Sequence, residues 1–226
     1  MTGTDPLAAA RAAGRGARRA LSEAERSAAT AAICHELLRL DELGPHWVGV
    51  TEVPLVGLYM AIDGEVDVTA VAGPLRERGW TICLPVVTDD DVLRFREWHV
   101  QEGRSRAGSE GNGLTTGRFG IPEPRAGGDD GHPSPGGDPS GLDPSELDPS
   151  ELAVVVAPCT AVDGDGTRVG FGRGFYDRAL GPAEPRPLVV VVAFDVQMSA
   201  VPLPHRAWDV PADVVVTDRQ TYFPTP

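Results

Sequence analysis

The sequence predicts an α/β fold: a single domain with a Rossmann-like, three-layer architecture, in which a largely parallel, mixed open sheet carries helices on both faces. Two observations predict it. Short apolar runs rich in β-branched residues, typical of strands buried on both faces, alternate with helical segments. The 226 residues are also enough for one sizeable core, whereas a second compact domain would be cramped.

The first forty residues favour two helices. Residues 5–40 are rich in alanine, arginine, leucine and glutamate, with apolar residues near helical spacing. Ser22 stands just before an acidic stretch, so it is positioned to cap the second helix. Two glycines, Gly14 and Gly16, are expected to weaken the first helix.

Five apolar runs bounded by turn residues predict the strands of the sheet. In chain order they are Val56 to Met60, Thr81 to Val87, Leu152 to Ala157, Leu188 to Phe194 and Val214 to Thr217. Between the first two, Val68 to Gly79 has the length of a crossover helix and ends at a glycine, a common signal for a helix C-terminus.

The stretch from Arg125 to Ser150 differs in composition. Gly, Pro, Asp and Ser dominate it, and Phe, Trp and Tyr are absent, so it cannot bury enough apolar surface to fold alone. We expect a disordered, acidic loop inserted into the domain. A tandem repeat near its end places Asp-Pro-Ser-Glu at Asp148 to Glu151, a sequence suited to a capped helical turn.

Charge and composition exclude several classes of partner. The formal net charge of −13 argues against nucleic acid or an anionic membrane, and all 20 basic residues are arginine. Three widely spaced cysteines indicate neither a disulfide framework nor a metal site. No run approaches 18 apolar residues, and the N-terminus lacks the apolar region of a signal peptide. We expect a cytoplasmic monomer that binds small molecules.

The most informative motif is a glycine loop, residues 168–178, with the sequence Arg-Val-Gly-Phe-Gly-Arg-Gly-Phe-Tyr-Asp-Arg. Alternate glycines let backbone N–H groups approach an anion closely, and three arginines add positive charge. Asp177 supplies the opposite charge, which a phosphate site needs if a cation such as Mg²⁺ is also bound. The loop lies between a predicted strand and a predicted helix, where open α/β sheets bind ligands, so the hypothesis is nucleotide plus metal.

This loop has other interpretations. Glycine-rich stretches are often tight turns without a binding function. A nicotinamide-dependent oxidoreductase is disfavoured, because the glycines follow G-x-G-x-G rather than G-x-G-x-x-G and because that fingerprint normally opens the first strand-helix-strand unit. The Lys and Ser/Thr of a P-loop are also missing.

Together with its neighbours, the loop resembles one family, 5-formyltetrahydrofolate cyclo-ligase, also called methenyltetrahydrofolate synthetase. The resemblance covers nearly the whole chain except residues 125–150. The matching segments are Arg11 with Arg18, Leu21 and Ser22, then Glu65 to Asp67, Leu84 with Pro85, Phe119 to Pro124, Arg168 to Arg178, Gln197, Pro204, Asp209, and Val215 to Asp218.

The resemblance implies an enzyme that uses ATP and Mg²⁺. ATP would phosphorylate the N5-formyl oxygen of 5-formyltetrahydrofolate, and N10 would close onto the activated carbon. ADP, phosphate and 5,10-methenyltetrahydrofolate would result. The protein would hold the γ-phosphate, the metal and the formyl oxygen in line and neutralise developing charge, without a nucleophile of its own.

The same resemblance implies roles for individual residues. Arg173, Tyr176 and Asp177 would act in catalysis, and Asp177 and Asp209 would bind the metal. The ATP-binding residues would be Arg11, Arg168, Val169, Gly170, Phe171, Gly172, Arg173, Gly174, Phe175 and Tyr176. The substrate-binding residues would be Ile62, Glu65, Asp67, Phe119, Ile121, Pro122, Glu123 and Pro124.

Several of these residues have a purely structural alternative. Glu65 and Asp67 precede a predicted helix, so either could cap it. Asp209 lies near a proline, where an aspartate commonly forms an Asx turn. Phe119 could belong to the core, and Arg11 could be solvated on its helix.

Two departures from the family pattern keep a second function open. The family usually has a lysine four residues before Arg11, where this chain has Leu7, so Arg15 or another arginine would have to compensate. The segment from Pro158 to Asp163 also differs from the usual Pro-Gly-x-Ala-Phe-Asp. Both favour a non-catalytic or repurposed relative that binds nucleotide or folate, whereas the intact loop and the acidic residues favour the enzyme.

Overall fold

The centre of the fold is a twisted sheet in the computed structural model, which describes residues 5–40, 53–99, 113–126 and 145–225. The strands are β1 (Leu55–Gly57), β2 (Thr81–Val87), β3 (Leu93–Glu97), β4 (Leu114–Thr116), β5 (Pro122–Pro124), β6 (Glu146–Leu147), β7 (Val154–Pro158), β8 (Ala161–Asp163), β9 (Arg168–Val169), β10 (Leu188–Val192), β11 (Met198–Ser199), β12 (Val214–Val216) and β13 (Thr221–Tyr222). The α-helices are α1 (Pro6–Ala20), α2 (Glu23–Leu40), α3 (Ala72–Glu77) and α4 (Phe175–Leu180).

Five parallel strands form the middle of the eight-stranded sheet, in the order β2-β1-β7-β10-β12. Antiparallel strands extend both edges: β3 and then β6 beyond β2, and β13 beyond β12. The direction of strand order therefore reverses between β1 and β7. In open α/β sheets, ligands bind at this reversal, outside the carboxyl ends of the strands.

The two faces of the sheet are both covered, which confirms the predicted α/β fold. Val154 and Val156 of β7 pack into one apolar cluster with α2 and α3, whereas Val155 packs on the opposite side with Leu180 of α4. This alternation follows from the two-residue period of a strand. Within the described ranges no helix has the length and apolarity that a membrane span requires.

All five predicted strands are present, with bounds that differ by a few residues, but the edge strands were not predicted. In β3, Leu93 and Phe95 are buried, whereas Arg94 and Arg96, which alternate with them, are less buried. A strand near the edge of a sheet contributes fewer apolar residues to the core than a central one. The sequence of β3, Leu-Arg-Phe-Arg-Glu, is therefore charged enough to resemble a surface segment.

The predicted helix junction at Ser22 is confirmed. The Glu25 amide donates to Ser22 Oγ at 3.3 Å, and the Ser22 amide donates to Glu25 Oε2 at 2.8 Å, a capping box. The predicted helix over residues 68–79 is shorter: a 3-10 turn, Thr69–Val71, precedes α3. Gly79, with φ of 87°, follows the end of α3, as its position predicted.

The predicted loop over residues 125–150 is too long at its C-terminal end. Glu146 and Leu147 form β6 because they pair with β3, and the Glu146 carboxylate binds Arg96 at 3.0 Å. The predicted capped turn is present, since Asp148 caps the 3-10 turn Pro149–Glu151. Residues 127–144 lie outside the described residues, so the single domain over residues 1–226 with its disordered insertion stays a prediction.

Gly14 has a packing function that the sequence did not indicate. It is buried where α1 crosses the segment after β7, and an added Cβ would stand 1.8 Å from the Thr160 carbonyl oxygen. Gly16, in contrast, has no atom within 4 Å of the same position. Gly14 therefore permits close approach of α1 to the sheet, a role beyond the expected weakening of the helix.

We predict that Gly14→Ala destabilises the protein and Gly16→Ala does not. The first variant forces α1 away from Thr160, which should lower the free energy of unfolding by about 1–3 kcal/mol. The second removes only the flexibility of glycine and should raise it by about 0.5–1 kcal/mol. Urea unfolding followed by circular dichroism measures both, and a Gly14→Ala protein as stable as the wild type would contradict the packing argument.

Candidate active site

A cavity of about 580 Å³ opens at the carboxyl ends of β1 and β7, where strand order reverses. Tyr59 and Met60 enter it just after β1, and Pro158 enters at the end of β7. The other walls come from α1, the β4–β5 hairpin, the glycine loop with the start of α4, and the loop before β12. Its volume lies in the range of small-molecule sites.

The glycine loop connects β9 to α4 and lines one side of the cavity. Gly172 and Gly174 have φ of 97° and 66°, values that side chains other than glycine rarely adopt. Arg11 of α1 fixes the loop, because its Nε donates to the Gly170 carbonyl at 2.9 Å and its guanidinium lies over Gly172. Arg11 is therefore directed to the loop rather than solvated on its helix.

An ion pair holds the start of α4 to the start of β9. Arg168 Nη2 lies 2.6 Å from Asp177 Oδ1, and the same oxygen accepts from the Val210 amide at 3.2 Å. Arg168 Nη1 donates to the Val210 carbonyl at 2.5 Å, and the arginine side chain is only 5% exposed. Both charged residues line the cavity, and the pair joins three segments that are distant in sequence.

Asp209 lines the same cavity, and its Oδ2 accepts from the Arg206 amide, three residues earlier, at 2.8 Å, which is not the Asx turn that its position near a proline suggested. Oδ1 of Asp177 and Oδ2 of Asp209 are thus engaged in hydrogen bonds. No cluster of three or more His, Cys, Asp or Glu ligands occurs in the part of the chain that the structure describes. Two carboxylates beside the glycine loop nevertheless have the chemistry of a Mg²⁺ site, since Mg²⁺ often takes one or two protein carboxylates and completes its shell with phosphate and water oxygens.

An aromatic contact joins the β4–β5 hairpin to the glycine loop. Phe119, at the hairpin turn, packs against Phe175 with ring centroids 5.6 Å apart. The Arg173 guanidinium lies 4.4 Å from the Phe119 ring centroid, close enough for a cation–π interaction. Phe119 is 36% exposed, so it forms part of the cavity wall rather than of the core.

The opposite side of the cavity contains a buried carboxyl group. Glu65 is 6% exposed, and its Oε2 accepts from the Ile62 amide at 3.0 Å, whereas Oε1 is buried without a hydrogen-bond partner. Burial raises the pKa of Glu65 to about 7. Burial also raises the pKa of the Tyr176 hydroxyl, which keeps it protonated at neutral pH. Oε1 of Glu65 is therefore an acceptor available to a ligand.

Comparison with known proteins identifies the family. The model of the 5-formyltetrahydrofolate cyclo-ligase family matches residues 8–218. The chain belongs to this family. The curated 5-formyltetrahydrofolate cyclo-ligase of Escherichia coli strain K12 is 29% identical over 170 residues, which cover 74% of this chain and 79% of the relative.

Two solved structures of cyclo-ligase relatives share the fold. A 5,10-methenyltetrahydrofolate synthetase from Aquifex aeolicus has a TM-score of 0.68 at 27% identity, covering 97% of this chain and 93% of that one. A 5,10-methenyltetrahydrofolate synthetase from Mycoplasma pneumoniae has a TM-score of 0.64 at 21% identity, covering 94% and 98%.

The cavity brings together most of the residues that the cyclo-ligase resemblance implied, from five separate parts of the chain. Those lining it are Arg11, Ile62, Glu65, Phe119, Ile121, Glu123, Arg168, Val169, Gly170, Phe171, Gly172, Arg173, Gly174, Phe175, Tyr176, Asp177 and Asp209. Their binding and catalytic roles stay predictions.

Three implied substrate residues do not line this cyclo-ligase cavity. Asp67 is exposed, and its Oδ1 accepts from the amide and hydroxyl of Thr69, two residues on, so it forms an Asx turn just before the 3-10 turn, whose N-cap is Val68. Pro122 and Pro124 alternate with Ile121 and Glu123 along β5, and only the latter two line the cavity, as the two-residue period of a strand requires.

Sequence reasoning missed several lining residues of the cyclo-ligase cavity. They are Leu7, Tyr59, Met60, Pro85, Val87, Leu93, Pro158, Arg178, Arg206 and Trp208. Some of them could have been found from their position in the sequence, because residues at the carboxyl ends of the strands where strand order reverses face the site. Arg206 and Trp208 precede Asp209 on a loop that lacked any pattern.

The arginine expected to compensate for Leu7 is not Arg15, which does not line the cavity. The Arg15 guanidinium lies over the Phe171 ring at 4.5 Å and its Nε is 3.8 Å from Asp63. Leu7 itself lines the cavity and packs on an apolar cluster below the glycine loop. Arg206 does line it, as do Arg173 and Arg178 of the glycine loop.

We predict that Glu65→Gln stabilises the protein at alkaline pH. Because the folded-state pKa of Glu65 is about 7 against a usual 4.5, ionisation of Glu65 opposes folding. Its stability contribution is full below pH 4.5 and is lost as the pH rises through about 7. Glutamine does not titrate, so the free energy of unfolding at pH 8 should rise by up to about 3 kcal/mol relative to the wild type.

Urea unfolding at pH 4.5 and pH 8 measures this difference. Glu23→Gln, which changes an exposed carboxylate at the start of α2, is the matched control and should leave the pH dependence unchanged. Equal stability of Glu65→Gln and wild type at both pH values would show that Glu65 is not buried as described.

Proposed function

We propose that this protein is an ATP- and Mg²⁺-dependent 5-formyltetrahydrofolate cyclo-ligase. It converts 5-formyltetrahydrofolate to 5,10-methenyltetrahydrofolate and releases ADP and phosphate. The observation that supports this proposal is that one cavity contains an arginine-rich glycine loop, two carboxylates suited to Mg²⁺, and a separate buried carboxyl group at Glu65. Two small-molecule substrates of different chemistry therefore fit in a single site.

The nucleotide occupies the side formed by the glycine loop. Its phosphates lie against the backbone of residues 170–174, where Arg11 and Arg173 supply positive charge. Arg168 contributes positive charge at a distance, because its Nη1 and Nη2 atoms already donate to the Val210 carbonyl and to Asp177. Mg²⁺ held by Asp177 and Asp209 would neutralise phosphate charge during transfer.

The folate occupies the side formed by the segment after β1 and the β4–β5 hairpin. Its bicyclic ring carries N–H donors, for which Glu65 Oε1 is the free acceptor. Met60, Ile62 and Ile121 supply apolar surface for the ring. Phe119 of the hairpin contacts Arg173 and Phe175 of the glycine loop, so the two sides meet at this contact, and the formyl group would meet the γ-phosphate beside it.

The reaction then needs orientation and charge neutralisation more than a protein nucleophile. The γ-phosphoryl group passes to the formyl oxygen and ADP leaves. N10 attacks the formyl carbon and loses its proton, and the carbon–oxygen bond breaks as phosphate departs. Arginine charges stabilise the oxygens that gain charge, and the contact of Phe119 with Phe175 limits access of water.

A non-catalytic relative that binds nucleotide or folate is the second candidate, and Leu7 favours it. Leu7 places an apolar side chain in the cavity wall where the family usually has a lysine. Such a protein would bind either ligand without forming product.

Incubation with 5-formyltetrahydrofolate, ATP and Mg²⁺ tests the proposal. We expect methenyltetrahydrofolate, followed by its absorbance, together with equal amounts of ADP and phosphate. Product should be absent without ATP or when a chelator removes Mg²⁺. Binding of ATP or folate in calorimetry without any product would contradict the enzyme and support the second candidate.

The same assay with Asp177→Asn tests the metal ligand. Asparagine keeps an oxygen for Arg168 and for the Val210 amide but removes the counter-charge of the buried guanidinium, so urea unfolding is measured beside turnover, and turnover of the folded protein should fall by at least about 100-fold. Asp165→Asn, an exposed change in the turn between β8 and β9, is the control. Turnover of Asp177→Asn near that of Asp165→Asn would show that Asp177 does not hold the metal.

A further inference from the structure

A buried arginine stands behind the folate side of the cavity without lining it. The Arg18 side chain on α1 is 1% exposed, and its Nη2 lies 3.0 Å from Asp63 Oδ2. Its Nε and Nη1 are buried without hydrogen-bond partners. Burying a guanidinium with two unpaired donors costs desolvation free energy, and one ion pair offsets only part of this cost. The position of Arg18 therefore calls for an explanation.

The carboxylate that Arg18 binds belongs to a tight turn. Asp63 has φ of 50° and the next residue, Gly64, has φ of 75°, so two consecutive residues are left-handed, as in the turn type that favours Asp-Gly. Aspartate adopts this conformation more readily than most residues with a side chain, but less readily than glycine. The ion pair with Arg18 supplies an interaction that stabilises Asp63 in it.

The turn determines where Glu65 lies. The Glu65 amide donates to the Ile62 carbonyl at 3.0 Å, and the Ile62 amide donates back to Glu65 Oε2 at 3.0 Å. Both hydrogen bonds join Ile62 to Glu65 and therefore span Asp63 and Gly64. A change of conformation at Asp63 would therefore move the Glu65 carboxyl group and its free Oε1.

We propose that Arg18 is a positioning residue for folate recognition: by holding Asp63 in its left-handed conformation, it fixes the turn that presents Glu65 to the substrate. The inference rests on the proposed function only in naming the ligand of Glu65 as the folate ring. Arg18 touches no substrate and acts through Asp63. Asp63 also lies 3.8 Å from Arg15, whose guanidinium stacks on Phe171 of the glycine loop, so binding of the nucleotide is measured beside binding of the folate.

Arg19 provides a matched comparison on the same helix. Its Nη2 lies 2.8 Å from the other oxygen of Asp63, but its side chain is 64% exposed. Exposed ion pairs contribute little, because water screens them and long side chains lose entropy when held. Arg19 should therefore not determine the turn.

Calorimetric titration of 5-formyltetrahydrofolate and of ADP into three variants tests the inference. Arg18→Met, of similar length without charge, should weaken folate binding at least about tenfold and change ADP binding less than about twofold. Arg18→Lys should recover part of the loss because it restores the charge. Arg19→Met should bind both ligands as the wild type does.

A folded Arg18→Met protein with wild-type folate affinity would overturn the inference, as would equal losses for folate and ADP or an equal loss in Arg19→Met. If Arg18→Met does not fold, the double variant Arg18→Met/Asp63→Ala replaces it, since it leaves neither charge of the pair without its partner, and it should show the same selective loss of folate binding. A wild type that binds folate without turnover would contradict only the proposed activity, whereas one that binds no folate would overturn both.

Discussion

The ion pair between Arg168 and Asp177 is the contact on which the nucleotide side of the cavity depends. It joins the start of β9, the first turn of α4 and the backbone before β12, and the Arg168 side chain is only 5% exposed. Breaking it would leave a buried guanidinium without a counter-charge, at a cost of several kcal/mol. The glycine loop lies between the two partners, so its shape is set by the residues at its ends. Asp177 thus has a structural role with one oxygen while the proposed metal would use the other.

Charge is distributed in the cavity in a way that the whole chain does not suggest. The protein carries a formal net charge of −13, yet of the described residues that line the cavity five are arginines and four are acidic. Local positive charge is what an anionic nucleotide requires. On the other side, the raised pKa of Glu65 reflects a carboxyl group that burial has removed from water. The two halves of the proposed reaction are therefore supported by opposite electrostatic environments within one site.

The sequence predicted what depends on local pattern and missed what depends on distant contacts. Central strands such as β7 were predictable because both of their faces are buried and their residues are almost all apolar. The edge strand β6 was assigned to a loop, because two residues become a strand only by pairing with β3. Gly14 appeared to weaken a helix, since nothing near it in sequence indicated Thr160. In the site, the glycine loop was evident from spacing, whereas Asp67 and the prolines of β5 were assigned by resemblance and lie outside the cavity.

The central claim of the proposed mechanism is that the formyl oxygen is phosphorylated before the ring closes. If so, that oxygen must leave the folate with the phosphate, because N10 closure breaks the carbon–oxygen bond and not the phosphorus–oxygen bond. The direct measurement uses 5-formyltetrahydrofolate labelled with ¹⁸O in the formyl group and analyses the released inorganic phosphate by mass spectrometry. The mechanism predicts one ¹⁸O atom in each phosphate for every methenyltetrahydrofolate formed. Unlabelled phosphate, with the label recovered in water, would contradict it.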